Sequence, residues 1–120
     1  MKKKILISTG GSGGHVVPAI AFYEHLKEDF EVLLVLDERG SKYINKEKYQ
    51  YRIIESPRFT LNFLKLPLSL INFLISIFKC FFLLKKNNVN ILIGTGGYMS
   101  VPICIAARFL NIKIYLFEPN

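Results

Sequence analysis

The sequence predicts the α/β class: a parallel sheet with helices on both faces, in three layers. Three observations predict it. Runs of strand length, among them Lys4 to Ser8, Glu31 to Leu36 and Asn90 to Gly94, are apolar without alternation, as in strands covered on both sides. Segments of helical period separate them. Two of the strands run directly into glycine-rich loops, Thr9 to Gly14 and Gly94 to Gly97.

The elements follow in order. Lys4 to Ser8 is a buried first strand ending in the first glycine loop. A helix starts at about Val16 or Pro18 and runs to Glu28, with Ala19, Phe22 and Leu26 on one face and Pro18 suited to a first turn. Glu31 to Leu36 is the second strand and Asp37 to Ser41 a polar turn. A short helix or irregular piece near Tyr43 to Glu47 leads to a third strand around Tyr51 to Glu55. Leu68 to Lys86 reads as a helix, Asn90 to Gly94 as the fourth strand, Val101 to Leu110 as a helix and Lys113 to Phe117 as the fifth strand. Such alternation defines a Rossmann-like domain, in which ligands bind beyond the carboxyl ends of the strands.

A chain of 120 residues holds one domain with a modest core. Its 51% apolar content and mean hydropathy of +0.30 are high for that size, so part of the apolar surface is expected to meet something else. The net charge of +7 points to an anionic partner. No acidic residue lies between Glu55 and Glu118, whereas Arg58, Lys65, Lys79, Lys85, Lys86, Arg108 and Lys113 do. Basic groups flanking apolar surface suit anionic headgroups. Nucleic acid is disfavoured as a partner, because the aromatics sit in dense Phe/Leu/Ile runs. Cys80 and Cys104 read as reduced, buried thiols, and no His/Cys cluster has metal-ligand spacing. The apolar part of MKKKILIS is too short for a signal peptide, which favours a cytoplasmic location.

The first loop, STGGSGGHVVP from Ser8 to Pro18, has four glycines within Gly10 to Gly14. Their backbone can approach a ligand closely, and the following helix adds its positive end, which together suit a diphosphate. The P-loop pattern is absent, and GxGxxG fails at Val16. The second loop, GTGGYMSVP from Gly94 to Pro102, repeats the arrangement. His15 stands where loop meets helix; spacing fits a general base and a structural hydrogen-bond donor equally well. His25 reads as a solvated surface residue. Tyr98 and Ser100 are either acceptor-binding hydroxyls or loop-packing groups.

GGSGGHVVPA (Gly10 to Ala19), GTGGYMSVP and the closing FEPN (Phe117 to Asn120) resemble, in order and over the whole chain, the three N-terminal signatures of the MurG family. These are the undecaprenyl-diphospho-muramoylpentapeptide β-N-acetylglucosaminyltransferases of glycosyltransferase family 28. The resemblance implies the N-terminal, acceptor-binding domain (residues 1–120) of a two-domain GT-B enzyme, without its C-terminal donor domain. It implies inverting transfer of N-acetylglucosamine from UDP-N-acetylglucosamine to lipid I, giving lipid II in peptidoglycan synthesis, with no cofactor and no metal. It also implies that 120 residues alone are inactive and need a donor-binding domain in cis or in trans. By position, the resemblance puts Ser12, Gly13, Gly14 and Asn120 at the donor, His15 as a candidate for catalytic base or substrate orientation, and Gly96, Gly97, Tyr98 and Ser100 at the acceptor. Departures from the family pattern are Phe117 and Pro119 for the usual His and Gln, Ser12 for Thr, and Val101 for a frequent glycine.

The stretch Phe59 to Leu84 has an uncharged part, Leu66 to Phe78, of about two-thirds of the roughly 20 residues a span requires. A helix lying on the membrane is expected, contacting it through Phe73, Ile77, Phe78, Phe81 and Phe82 with Lys79, Lys85 and Lys86. The expected location is the cytoplasmic face of the bacterial cell membrane, as a peripheral protein. Two other readings stand beside the enzyme half. One is a non-catalytic membrane-anchoring subunit of a two-chain glycosyltransferase. The other is a small nucleotide-binding regulator of dehydrogenase or flavodoxin type, which would need Asp37 to hold a ribose.

Overall fold

The computed structural model describes residues 2–54, 66–96 and 100–117. The elements are β1 (Lys4–Ser8), α1 (Gly13–Leu26), β2 (Glu31–Leu36), α2 (Glu38–Ser41), β3 (Tyr51–Ile53), α3 (Leu66–Lys86), β4 (Ile91–Gly94), α4 (Ser100–Phe109) and β5 (Lys113–Leu116). Among the described residues the five strands are all parallel, in the order β3-β2-β1-β4-β5. The sheet grows outward from β1 in two directions, so the gap between β1 and β4 is its switch point.

Strand pleating sorts the core into two halves. Leu6, Leu33, Val35 and Leu92 point to one face and meet Cys80 and Leu84 of α3 and Ile103, Ala106 and Ala107 of α4. Ile5, Ile7, Val32, Leu34, Leu36 and Ile93 point to the other and meet Ala19 and Tyr23 of α1. Both faces are therefore covered, which explains why these strands read as continuous apolar runs. Burial pushes the Cys80 thiol up to about 12, helped by the neighbouring Cys104, and raises the Cys104 thiol as well; both cysteines are free.

Two segments differ from the sequence expectation. α1 begins at Gly13, so His15 lies in its first turn and Pro18 lies inside the helix. Pro18 has no N–H to give the Gly14 carbonyl, which leaves that turn loosely tied. The expected polar turn at Asp37 to Ser41 is the short helix α2, with the Asp37 side chain capping it by accepting from the Gly40 N–H at 2.7 Å. The segment from Tyr43 to Glu47 is irregular; just beyond it the Tyr49 hydroxyl donates to Glu24 and its ring packs edge-on to Tyr23. Hydrogen bonds from Lys27, Lys48 and Tyr49 hold the Glu24 carboxyl down to about 2.

α3 is apolar almost all round, and its packing divides it. Ser76, Cys80 and Leu84 are buried, with Ile77, Phe81 and Leu83 against the same core. Ile71, Leu74, Ile75, Phe78 and Phe82 form an exposed stripe at helical spacing, with Phe78 and Phe82 63% and 65% exposed. α3 and α4 both close on an asparagine in the left-handed region, Asn88 and Asn111. There the Val89 N–H reaches back to the Leu84 carbonyl and the Ile112 N–H to Ala107, turning each chain into the next strand.

Candidate active site at the junction of two glycine loops

The site is built at the carboxyl ends of β1 and β4. These strands pair in parallel with Ser8 opposite Gly94, and the ladder continues one residue further, the Thr95 N–H donating to the Ser8 carbonyl at 2.9 Å. The loops that leave them therefore start about 4.8 Å apart, the spacing of neighbouring strands. The Thr95 hydroxyl then crosses to the other loop and donates to the His15 carbonyl at 2.9 Å. Thr95 is fully buried, and its bridging position was not legible from spacing.

His15 and Gly96 meet in that junction. A Cβ placed on Gly96 would fall 2.7 Å from Cδ2 and 3.0 Å from Nε2 of the imidazole, and Gly96 has φ +111°. Only glycine satisfies both constraints. The Nδ1 of His15 lies 3.1 Å from the Gly10 carbonyl oxygen and 3.5 Å from the Ser12 hydroxyl. A carbonyl can only accept, so a hydrogen bond at the shorter contact needs the hydrogen on Nδ1, which in a neutral ring leaves Nε2 with its lone pair. This is the form of imidazole that a general base needs.

Ser12 is the N-cap of α1 but makes no side-chain cap hydrogen bond, and no acidic residue stands in the first turn. The amides of Gly13 and Gly14 have no acceptor within the helix and share its positive end. Gly14 is exposed, and Gly13 backs onto the Tyr43 ring, where a Cβ would meet Cε1 at 3.3 Å. The arrangement offers convergent N–H donors and positive potential, suited to an anionic oxygen cluster, beside one imidazole nitrogen able to take a proton.

Of the residues singled out in the sequence, Ser12, Gly13, Gly14, His15 and Gly96 come together here. Ser100 opens α4 beyond the second loop, half-buried. Gly97, Tyr98 and Asn120 lie outside the described residues. His25 is exposed. Asp37, weighed as a ribose holder, is buried and spends Oδ1 on the amides of Gly11 and Gly40, at 3.0 and 2.7 Å, which argues against a dinucleotide site. Asp37, weighed only as a ribose holder, and Thr95 are the site residues whose roles spacing missed. An aspartate closing a strand three residues before a glycine was the available signal for the first.

Gly96→Ala is expected to lower stability by about 1–3 kcal/mol and to move the His15 ring resonances. Gly14→Ala should be neutral or stabilising by up to about 1 kcal/mol, because its Cβ would meet only the Ser12 hydroxyl at an ordinary 3.6 Å. Denaturant unfolding and proton spectra of both variants check this; equal effects would contradict it.

Comparison with known proteins agrees with the geometry. The glycosyltransferase family 28 N-terminal domain matches residues 5–120. The UDP-N-acetylglucosamine–N-acetylmuramyl-(pentapeptide) pyrophosphoryl-undecaprenol N-acetylglucosamine transferase of Pelagibacter ubique is 51% identical over 120 residues, covering 100% of this chain and 34% of the relative. The transferase of the same name from Rickettsia prowazekii is 41% identical, covering 98% of this chain and 30% of the relative. The chain thus spans about a third of the length of these relatives. The crystal structure of Acinetobacter baumannii MurG superposes with a TM-score of 0.80 at 24% identity, over 97% of this chain and 35% of that one, which supports the fold. Both sequence relatives are named as transferases, which gives no support to a non-catalytic anchoring subunit. With nearly every residue inside the matched domain, the chain belongs to the glycosyltransferase family 28 N-terminal domain family.

Proposed function

We propose that this chain is the acceptor-side half of an inverting N-acetylglucosaminyltransferase that moves the sugar from UDP-N-acetylglucosamine to lipid I, forming lipid II. The observation that carries the reading is the contact between His15 and Gly96, which joins the two glycine loops into one mouth. The names of the Pelagibacter and Rickettsia relatives supply the substrate class. The acceptor hydroxyl attacks the anomeric carbon, Nε2 of His15 takes its proton, and the bond to the UDP oxygen breaks on the opposite side. Amide donors at helix N-termini stabilise the negative charge that develops on the departing diphosphate. A donor-binding domain, in cis or in trans, completes the reaction.

A chimaera in which residues 1–120 replace the corresponding third of the Pelagibacter relative tests this. It should transfer N-acetylglucosamine to lipid I, and His15→Ala should lower kcat by about 10²–10⁴-fold. A chimaera inactive in the folded state, or one indifferent to His15→Ala, would overturn the reading.

The same proposal places the chain on the cytoplasmic face of the cell membrane, as a peripheral protein. Supporting it are the apolar stripe on α3 and the exposed Lys79, Lys85 and Lys86 beside it. α3 has the length and composition to cross a membrane, with a mean hydropathy of 2.0 over Pro67–Lys86. Packing of its Cys80–Leu84 face on the sheet favours lying along the surface instead. Ile77 and Phe81, expected at the membrane, pack against the core, and Phe73 is half-buried, so contact falls to Phe78, Phe82 and their stripe neighbours. Burying a phenylalanine contributes about 1.5–3 kcal/mol, so Phe78→Ser with Phe82→Ser should weaken binding to anionic vesicles by about tenfold or more. Phe81→Ser should instead lower the unfolding midpoint. Unchanged vesicle co-sedimentation of the double variant would remove the membrane claim.

A further inference from the structure

The peptide between Gly10 and Gly11 is engaged at both ends. Its N–H, on Gly11, donates to Oδ1 of Asp37 at 3.0 Å. Its carbonyl, on Gly10, faces Nδ1 of His15 at 3.1 Å. A trans peptide is planar, with N–H and C=O pointing in opposite directions, so fixing one end aims the other. Asp37 thus acts on His15 through a single rigid plane. We propose that Asp37 is a positioning residue that, through the Gly10–Gly11 peptide, holds His15 in the tautomer with hydrogen on Nδ1 and a bare Nε2.

Three further observations bear on this. Asp37 is 8% exposed, and the same Oδ1 takes the Gly40 amide at 2.7 Å, so α2 holds the carboxylate that the loop also uses. Gly10 and Gly11 have φ of +149° and +81°, a backbone that few other residues would adopt. The cluster is also closed sterically: a Cβ on Gly10 would lie 2.9 Å from Oδ1 of Asp37, and one on Gly40 would lie 2.9 Å from the Gly10 Cα. A negative carboxylate on the peptide N–H also polarises the carbonyl it shares, strengthening its acceptance from Nδ1. The Ser12 hydroxyl competes for Nδ1, but at 3.5 Å it lies beyond a good O–H···N distance, and the Gly10 carbonyl prevails. The importance of this tautomer rests on the proposed base role of His15; its existence does not.

The test is nitrogen NMR of the whole chain carrying ¹⁵N-labelled histidine, observed where the His15 ring is neutral. Wild type is expected to show His15 mainly as the Nδ1–H tautomer. Asp37→Ala, with its fold checked by circular dichroism, should lose that majority and shift toward Nε2–H. Asp37→Asn, whose amide oxygen can still accept from Gly11, should restore it. A His15 tautomer unchanged in Asp37→Ala would overturn the proposal. Should Asp37→Ala not fold, the wild type and Asp37→Asn decide, and Nε2–H as the major form in either overturns it. Because this readout needs no sugar transfer, an active His15→Ala chimaera would sink the base role while leaving this tautomer measurement to stand or fall alone.

Discussion

Parallel pairing of β1 with β4 sets Ser8 beside Gly94, and the Thr95 N–H extends that ladder one step past the end of the strand. The rest of the site depends on this register. One residue of slip would turn the side chains of β4 to the opposite face and carry Gly96 away from His15. Burial of both sheet faces makes such a slip costly, since Leu92 and Ile93 feed opposite halves of the core. Core packing and site geometry are therefore one constraint: the residues that sort the layers also hold the two loops within hydrogen-bonding distance.

Above that junction the chemistry is carried mostly by backbone. Glycines allow the His15 ring, the Asp37 carboxylate and the loop to approach closer than any Cβ permits. The side chains that matter, His15, Thr95 and Asp37, each bond to backbone of another segment: Thr95 to the His15 carbonyl, Asp37 to the Gly11 amide, His15 to the Gly10 carbonyl. Such a closed set leaves little freedom to the imidazole. For the proposed base role of His15, preorganisation of this kind would lower the cost of alignment with a substrate.

Strands β1, β2 and β4 were legible because doubly covered strands read as apolar runs ended by glycine or charge. β5, an edge strand with Tyr115 and Leu116 exposed, was legible only as a short apolar run after α4. The start of α1 was not. Gly13 and Gly14 are poor helix formers, and only the tertiary setting makes them the first turn, which moves His15 from a loop edge into the helix. α2 was hidden because its stability comes from Asp37 accepting amides on both sides rather than from periodicity. On α3, sequence could not tell Phe81 from Phe82. With apolar residues all round the helix, only packing against α4 and the sheet decides which ring faces inward. The glycine loops themselves were plain in the sequence, while their mutual contact required the strand order, which no local pattern encodes.

The central claim is that contact between His15 and Gly96 joins the two glycine loops into one mouth, so that an anion bound at the first loop is also felt at the second. Titration of the ¹⁵N-labelled chain with inorganic pyrophosphate tests it directly. The account predicts that the amides of Gly13, Gly14 and Gly96 shift together along one binding curve. Movement of the Gly13 and Gly14 amides with Gly96 unmoved, or following a separate curve, would contradict it.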